Sequence, residues 1–128
     1  MKRLVGIIIS LAFIIAVSTV EIVLSDKYIA EIMDLSEEIS QTTSRDNFTS
    51  EENIKKVQEL DEMWTHHENI LCLMTNHNNI DDVGQYITRM ISSQRDQDYE
   101  CFVSSLDLVI YYVEGYDHIF GITVQNLI

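Results

Sequence analysis

Hydrophobic positions follow two patterns along this chain. From Leu4 to Val20 there are seventeen consecutive residues without a charge; Glu21 interrupts the run, and it resumes at Ile22, Val23 and Leu24. The hydrocarbon core of a bilayer is about 30 Å thick and takes roughly 20 apolar helical residues to cross. Gly6–Val20 is apolar nearly all round, unlike a surface helix of a soluble protein, which keeps one polar face. Beyond Asp26 the pattern becomes one-sided: Tyr28, Ile32, Leu35 and Ile39 recur at spacings of four, three and four, a helical stripe. No breaker separates the two patterns, so one continuous helix is expected from about Arg3 to Gln41. Something must cover its stripe, either later helices or a second copy of the chain.

Thr42–Asn47 is rich in turn formers and reads as a loop. Thr49, with Glu52 three residues on, matches a capping box and opens a second helix over about Ser50–Thr75. Its stripe is Ile54, Val57, Leu60, Trp64, Leu71 and Met74, with His67 in the same line. Asn76–Asn79 is a polar turn. A third helix carries Ile80, Val83, Ile87 and Met90/Ile91 and ends near Ser93. Asp96 is the expected N-cap of a fourth, which presents Phe102, Leu106, Val109 and Val113 and weakens at Gly115. His118–Ile128, with β-branched Ile122-Thr123-Val124, fits either an extended strand or a last helical turn.

Short turns make antiparallel neighbours. The expected fold is therefore all-α: an N-terminal transmembrane helix continuing into a small antiparallel bundle of three to four helices. Its core should hold Leu35, Ile39, Val57, Leu60, Trp64, Leu71, Ile80, Val83, Ile87, Phe102, Leu106, Val109 and Val113. Residues 1–25 form a transmembrane signal-anchor, and residues 26–128 one extracytoplasmic acidic helical domain. Lys2-Arg3, Leu4–Ile15 and Ala16-Val17-Ser18 loosely fit a cleavable signal peptide, which would release a secreted domain. The apolar pattern runs past Ser18, however, and favours an uncleaved anchor in the cell membrane. Positive residues at its start place the N-terminus in the cytoplasm.

Composition sharpens this. The chain has no proline and four glycines, which suits long helices. Residues 1–25 carry two positive charges and one negative, whereas residues 26–128 carry six positive and twenty negative. Such a surface repels phosphate backbones, which argues against nucleic-acid binding. Two cysteines, Cys72 and Cys101, are too few for a disulfide framework. They are read as free, partly buried thiols, with a single Cys72–Cys101 bridge as the alternative.

The polar cluster Asp61, Glu62, His66, His67, Glu68 and His77 is the one group that suggests chemistry. It has no His-Glu-x-x-His element and no cysteine pair at zinc spacing. The expectation is a solvated His66, a His67 along the core edge beside Trp64, a His77 at a turn, and no metal or cofactor. Ser104 and Ser105 are flanked by core positions, with no glycine-rich turn to expose them. Cys101 follows Asp98 and Glu100, which would raise a thiol pKa. No catalytic residue is expected, and no enzyme. The acidic groups Asp34/Glu37/Glu38 and Asp96/Asp98/Glu100 read as solvated faces without an EF-hand spacing. Tyr111, Tyr112 and Tyr116 cannot all face inward on one helix, so at least one is a candidate for an interface. His67, His77, Tyr112 and Tyr116 are the candidate interaction or weak ligand positions.

The chain also resembles a family of small Bacillota proteins, the domain-of-unknown-function 4363 family. The resemblance rests on the basic start and single hydrophobic segment, and on Trp64 in the middle of the second helix. It continues through His77-Asn78-Asn79-Ile80-Asp81 opening the third, the pair Tyr86-Ile87, and the tail Asn126-Leu127-Ile128. Asn78-Asn79 departs from the acidic character usual after that histidine, and lysine is sparser here. The resemblance implies a membrane-anchored helical protein of a Clostridium-like bacterium, and it implies no catalytic residue. The expected function is a non-enzymatic accessory or interaction module at the outer face of the cytoplasmic membrane. It would be held in lipid by residues 4–24 and partnered by another membrane or envelope protein. The alternatives are a self-associating structural protein, a homodimer through the Tyr28–Ile39 stripe, and an ion- or ligand-sensing domain using His67 and His77.

Overall fold

The computed structural model describes residues 1–72 and 77–125, with side chains placed for all of these except 2, 72, 77–79 and 117–125. Four helices follow one another: α1 (Lys2–Thr42), α2 (Glu51–Cys72), α3 (His77–Asp96) and α4 (Tyr99–Gln125). No strand occurs among the described residues. α1 packs on α2 and α4, and α3 packs on the same two, with no contact across either diagonal. The result is a four-cornered bundle. Tyr28 of α1 meets His67 of α2 while Glu38 meets Lys56, so these two helices run in opposite directions.

The core is a repeating seam. Buried positions are Ser25, Ile29, Ile32, Ser36 and Ile39 on α1, and Asn53, Val57, Leu60, Trp64, His67 and Leu71 on α2. α3 adds Ile80, Val83, Ile87 and Met90, and α4 adds Phe102, Leu106, Val109, Val113 and Tyr116. Spacings of three and four alternate in every helix, a mean period of 3.5, which keeps one stripe facing the bundle axis as the helices wind around one another. Twelve of the thirteen expected core residues are buried. Leu35 is the exception and is only partly buried, packed against the core from its edge. Serines at 25 and 36 take the seam positions beside it and are fully buried. The hydroxyl of Ser36 donates to the Ile32 carbonyl at 2.8 Å, so its burial leaves no polar atom unpaired. Within the α1 stripe Ile32 and Ile39 are thus buried in the bundle formed with α2 and α4, while Tyr28 and Leu35 stay partly exposed at its edge.

Helix ends differ from expectation by local chemistry. Ser50, not Thr49, caps α2: the Asn53 amide donates to its Oγ at 3.3 Å. Asn53 replaces Ile54 in the core because its side-chain amide donates to the Asn47 carbonyl at 2.8 Å and its oxygen accepts from Thr43 at 3.3 Å, which ties down the α1–α2 loop. Gln94 of α3 donates to the Phe48 carbonyl of that loop at 2.8 Å. Phe48 packs against Tyr99 and Phe102, with ring centroids 5.2 and 5.7 Å away.

α3 begins at His77, ahead of the expected start, and continues past Ser93. It is closed by Gln97, whose φ of 58° is left-handed. The Gln97 amide donates to Gln94 O and the Asp98 amide to Ser93 O at 2.9 Å, the paired reach-back of a Schellman end. Asp98, not Asp96, then caps α4 by accepting from the Cys101 amide at 3.0 Å. α4 passes through Gly115 without a break, so residues 118–125 are helical, while 126–128 lie outside the described residues. Cys101 is a free thiol.

The upper half of α1 is a bundle member and the lower half is not. Leu4 to Val20 lies on the surface, and the 18-residue window with the highest hydropathy has no buried share. This helix is long and apolar enough to cross a membrane.

Two substitutions test the packing. Gln97→Gly should raise unfolding stability by roughly 0.5–1 kcal/mol in chemical denaturation followed by circular dichroism, because glycine relieves a left-handed strain of about 1–2 kcal/mol at some entropic cost. A Cβ on Gly84 would lie 3.3 Å from Trp64 Nε1. Gly84→Leu should therefore cost about 1–3 kcal/mol by overpacking and shift Trp64 fluorescence to the red; an unshifted spectrum would contradict this contact.

Candidate functional site

Three places gather the polar and aromatic groups singled out in the sequence. The first is the seam between α1 and α2. His67 is buried and stacks on Tyr28, with ring centroids 3.6 Å apart and planes 12° from parallel. Its Nδ1 is buried without a hydrogen-bond partner among the described residues. Burial pushes its pKa below the ordinary histidine value and the neighbouring His66 adds to this, while Glu31 opposes both. His67 is therefore a neutral core imidazole. His66 is exposed, edge-on to it at 5.0 Å. The side chain of His77 lies outside the described residues, so the expected His67–His77 pairing does too. Further along the seam, Lys56 lies 3.1 Å from both Glu38 of α1 and Glu52 of α2, and these two carboxylates hold its pKa above the ordinary lysine value.

The second is an open groove of about 600 Å³ between α2 and α3. Asp61, Glu68 and Asp81 line it together with Arg89, and Trp64 forms part of its wall against Gly84. The indole Nε1 of Trp64 is buried without a hydrogen-bond partner. Among the described residues no group of three or more His, Cys, Asp or Glu is arranged to hold a metal ion. The hydroxyls of Ser104 and Ser105 both donate to the Cys101 carbonyl, at 3.1 and 2.7 Å, and are spent on the helix backbone.

The third is the outer face of α3 and α4. Tyr86 and Tyr112 stack across the two helices, 5.8 Å apart and 17° from parallel. Tyr111 meets Tyr112 edge-on at 5.6 Å. Tyr86, then burial, then Asp82 push the Tyr112 phenol above its ordinary pKa. Tyr111 is 70% exposed, and among the described residues it is the one large hydrophobic side chain exposed outside Met1–Leu24.

No protein-family model, curated protein or solved structure matches the chain.

The candidate residues are thus dispersed. His67 lies in the α1–α2 seam and Tyr112 on the opposite α3–α4 face. Tyr116, a candidate interaction position, is 4% exposed and belongs to the core, because it continues the spacing of Val109 and Val113. Sequence reasoning included Tyr111 in the tyrosine set without choosing it. The available signal was its position between Asp107 and Glu114, four residues after one and three before the other, on a polar face.

His67 generates a pH prediction. Its native pKa is lowered, so below about 6.5, the ordinary histidine value, the unfolded chain binds a proton that the folded chain refuses. Stability should fall as pH drops from 7 towards 5 and stay level with respect to this group above 7. His67→Phe keeps a ring on Tyr28 and should flatten the dependence in that window. Thermal unfolding in detergent at a series of pH values reads it, and an unchanged slope in the variant would show that His67 is not its source.

Proposed function

We propose that this protein is a membrane-anchored, non-enzymatic interaction module. Residues 4–24 sit in the lipid of the cell membrane, the N-terminus is cytoplasmic, and the acidic bundle stands outside the cytoplasm, where it binds another membrane or envelope protein. The observation that carries the reading is the form of α1. Its apolar lower half has no buried residue, and it passes without a break into a seam on which α2 and α4 pack. The exposed run is about 31 Å of helix, the depth of a hydrocarbon core. Lys2 and Arg3 flank its start, and the positive-inside preference sets the direction. The absence of a break favours an anchor over a cleaved and secreted form. The resemblance to the domain-of-unknown-function 4363 family is compatible with this role and adds no chemistry to it.

Fractionation should find the full-length chain in membranes, released by detergent and not by salt or carbonate. A C-terminal alkaline phosphatase fusion should be active, as that enzyme is only outside the cytoplasm. Crosslinking in the native host should recover a defined membrane or envelope protein. Recovery of lipid and bulk protein alone would overturn the interaction role.

A further inference from the structure

We infer that the α3–α4 face centred on Tyr111 is a docking surface for a lysine- or arginine-bearing segment of a partner protein. The inference rests on the interaction role proposed above and names the surface that performs it.

Three rings form the platform. Tyr86 and Tyr112 are stacked, and Tyr111 stands edge-on to Tyr112 and projects into solvent. An aromatic face attracts a cation through its quadrupole, and arginine in particular stacks on it. Carboxylates border the platform. Asp107 and Glu114 are exposed on the same face of α4 as Tyr111, and Asp82 is near enough to act on the Tyr112 phenol. Among the described residues none of these three acids is paired with a cation. Four of the chain's cations are held elsewhere: Lys27 by Glu31, Arg45 by Glu100, Lys56 by Glu38 and Glu52, and Arg95 by Asp96. α4 contains no lysine or arginine at all. Arg89, the nearest cation on α3, lines the groove on the α2 side of that helix. A positive group arriving from outside thus meets aromatic faces and carboxylates that have no cation partner among the described residues. Phosphate-rich lipid or nucleic acid meets repulsion instead. A second copy brings the same excess of acid and is disfavoured for the same reason.

The test uses the full-length protein in phosphatidylcholine nanodiscs, at about 0.15 M salt so that long-range attraction is screened. The probe is a fluorescent decapeptide of alternating arginine and glycine, and the readout is anisotropy. Tyr111→Ala should weaken binding about five- to tenfold, and Asp107→Asn with Glu114→Gln by a similar factor. Tyr111→Phe should stay within twofold, since the ring face remains. Asp34→Asn with Glu37→Gln removes the same number of charges from α1 and should also stay within twofold. Circular dichroism confirms that each variant is folded; Tyr111 is exposed, so its loss leaves the core intact. The inference is overturned if the wild-type protein does not bind the peptide. It is equally overturned if the two charge-neutralised pairs lose binding alike while Tyr111→Ala does not. Photo-crosslinking in the host from position 111 and from position 37 separates the two levels. A partner captured from 37 and not from 111 leaves the interaction role standing and removes this surface. No partner from either position removes both.

Discussion

The structure depends on one helix serving two surroundings. Up to Leu24 α1 buries none of its apolar side chains and leaves all but Ile22 well exposed, and from Ser25 it buries one in every three or four. No proline or glycine lies between Gly6 and Thr42 to end the helix or bend it. Breaking it there would orphan backbone donors and acceptors that the helix otherwise pairs. The change of surroundings is therefore made by side chains alone. Because α2 and α4 pack directly on the upper half of the same rod, the bundle has no hinge through which to turn relative to the apolar half.

That constraint explains the polar residues in the seam. Ser25, Ser36, Asn53, His67, Ser93, Gln94 and Ser105 are all buried. Burying a polar group without a partner costs about 1–3 kcal/mol. Most of these avoid the cost: Ser36, Ser93 and Ser105 donate to the carbonyl four residues back, at 2.7–2.8 Å. Asn53 and Gln94 use their amides to fix the α1–α2 loop over the end of the bundle. The serines thus satisfy themselves on their own helix, and the longer amides hold the loop. His67 is different. Stacking on Tyr28 recovers dispersion energy, but its Nδ1 remains unpaired. Burial therefore favours the neutral form of that ring, and charging it costs stability.

The alternation of apolar and polar residues was enough to read the architecture. Spacings of three and four put Val57, Leu60 and Trp64, or Phe102, Leu106 and Val109, on one face whatever the neighbours are. What could not be read is how the faces dock. The Tyr28–Leu35 line and the observed Ser25–Ile29–Ile32–Ser36 line differ by a small rotation of the helix, which is set only once α2 and α4 pack against it. The cap of α2 moved from Thr49 to Ser50, and the start of α4 from Asp96 to Asp98, because adjacent residues offer equivalent oxygens and the loop path chooses between them. Tyr116, one of three tyrosines of which at least one is expected at an interface, is core. Three tyrosines within six residues leave the phase of the helix ambiguous until the partner helix is placed. Of the candidate site residues, His67 is expected along the core edge and is buried in the α1–α2 seam, while Tyr112, an expected interaction position, is partly buried. His77 falls among residues whose side chains are not described.

The charge distribution then bears on how such a bundle can be recognised. Away from the apolar half of α1, one large hydrophobic side chain stands exposed among the described residues. A stable interface normally has an apolar or aromatic centre ringed by polar groups. Here the centre is small, so most of the attraction must come from charge and from ring faces. Attraction of that kind favours rapid, specific encounter over permanent association. Geometry adds a direction. The rings lie on the sides of α3 and α4, which run alongside the upper half of α1, and not on the loops at the bundle's end. If, as proposed above, α1 stands upright in a bilayer, this face would look sideways along the membrane surface, and a neighbour standing in the same membrane would satisfy that geometry better than a soluble protein arriving from above.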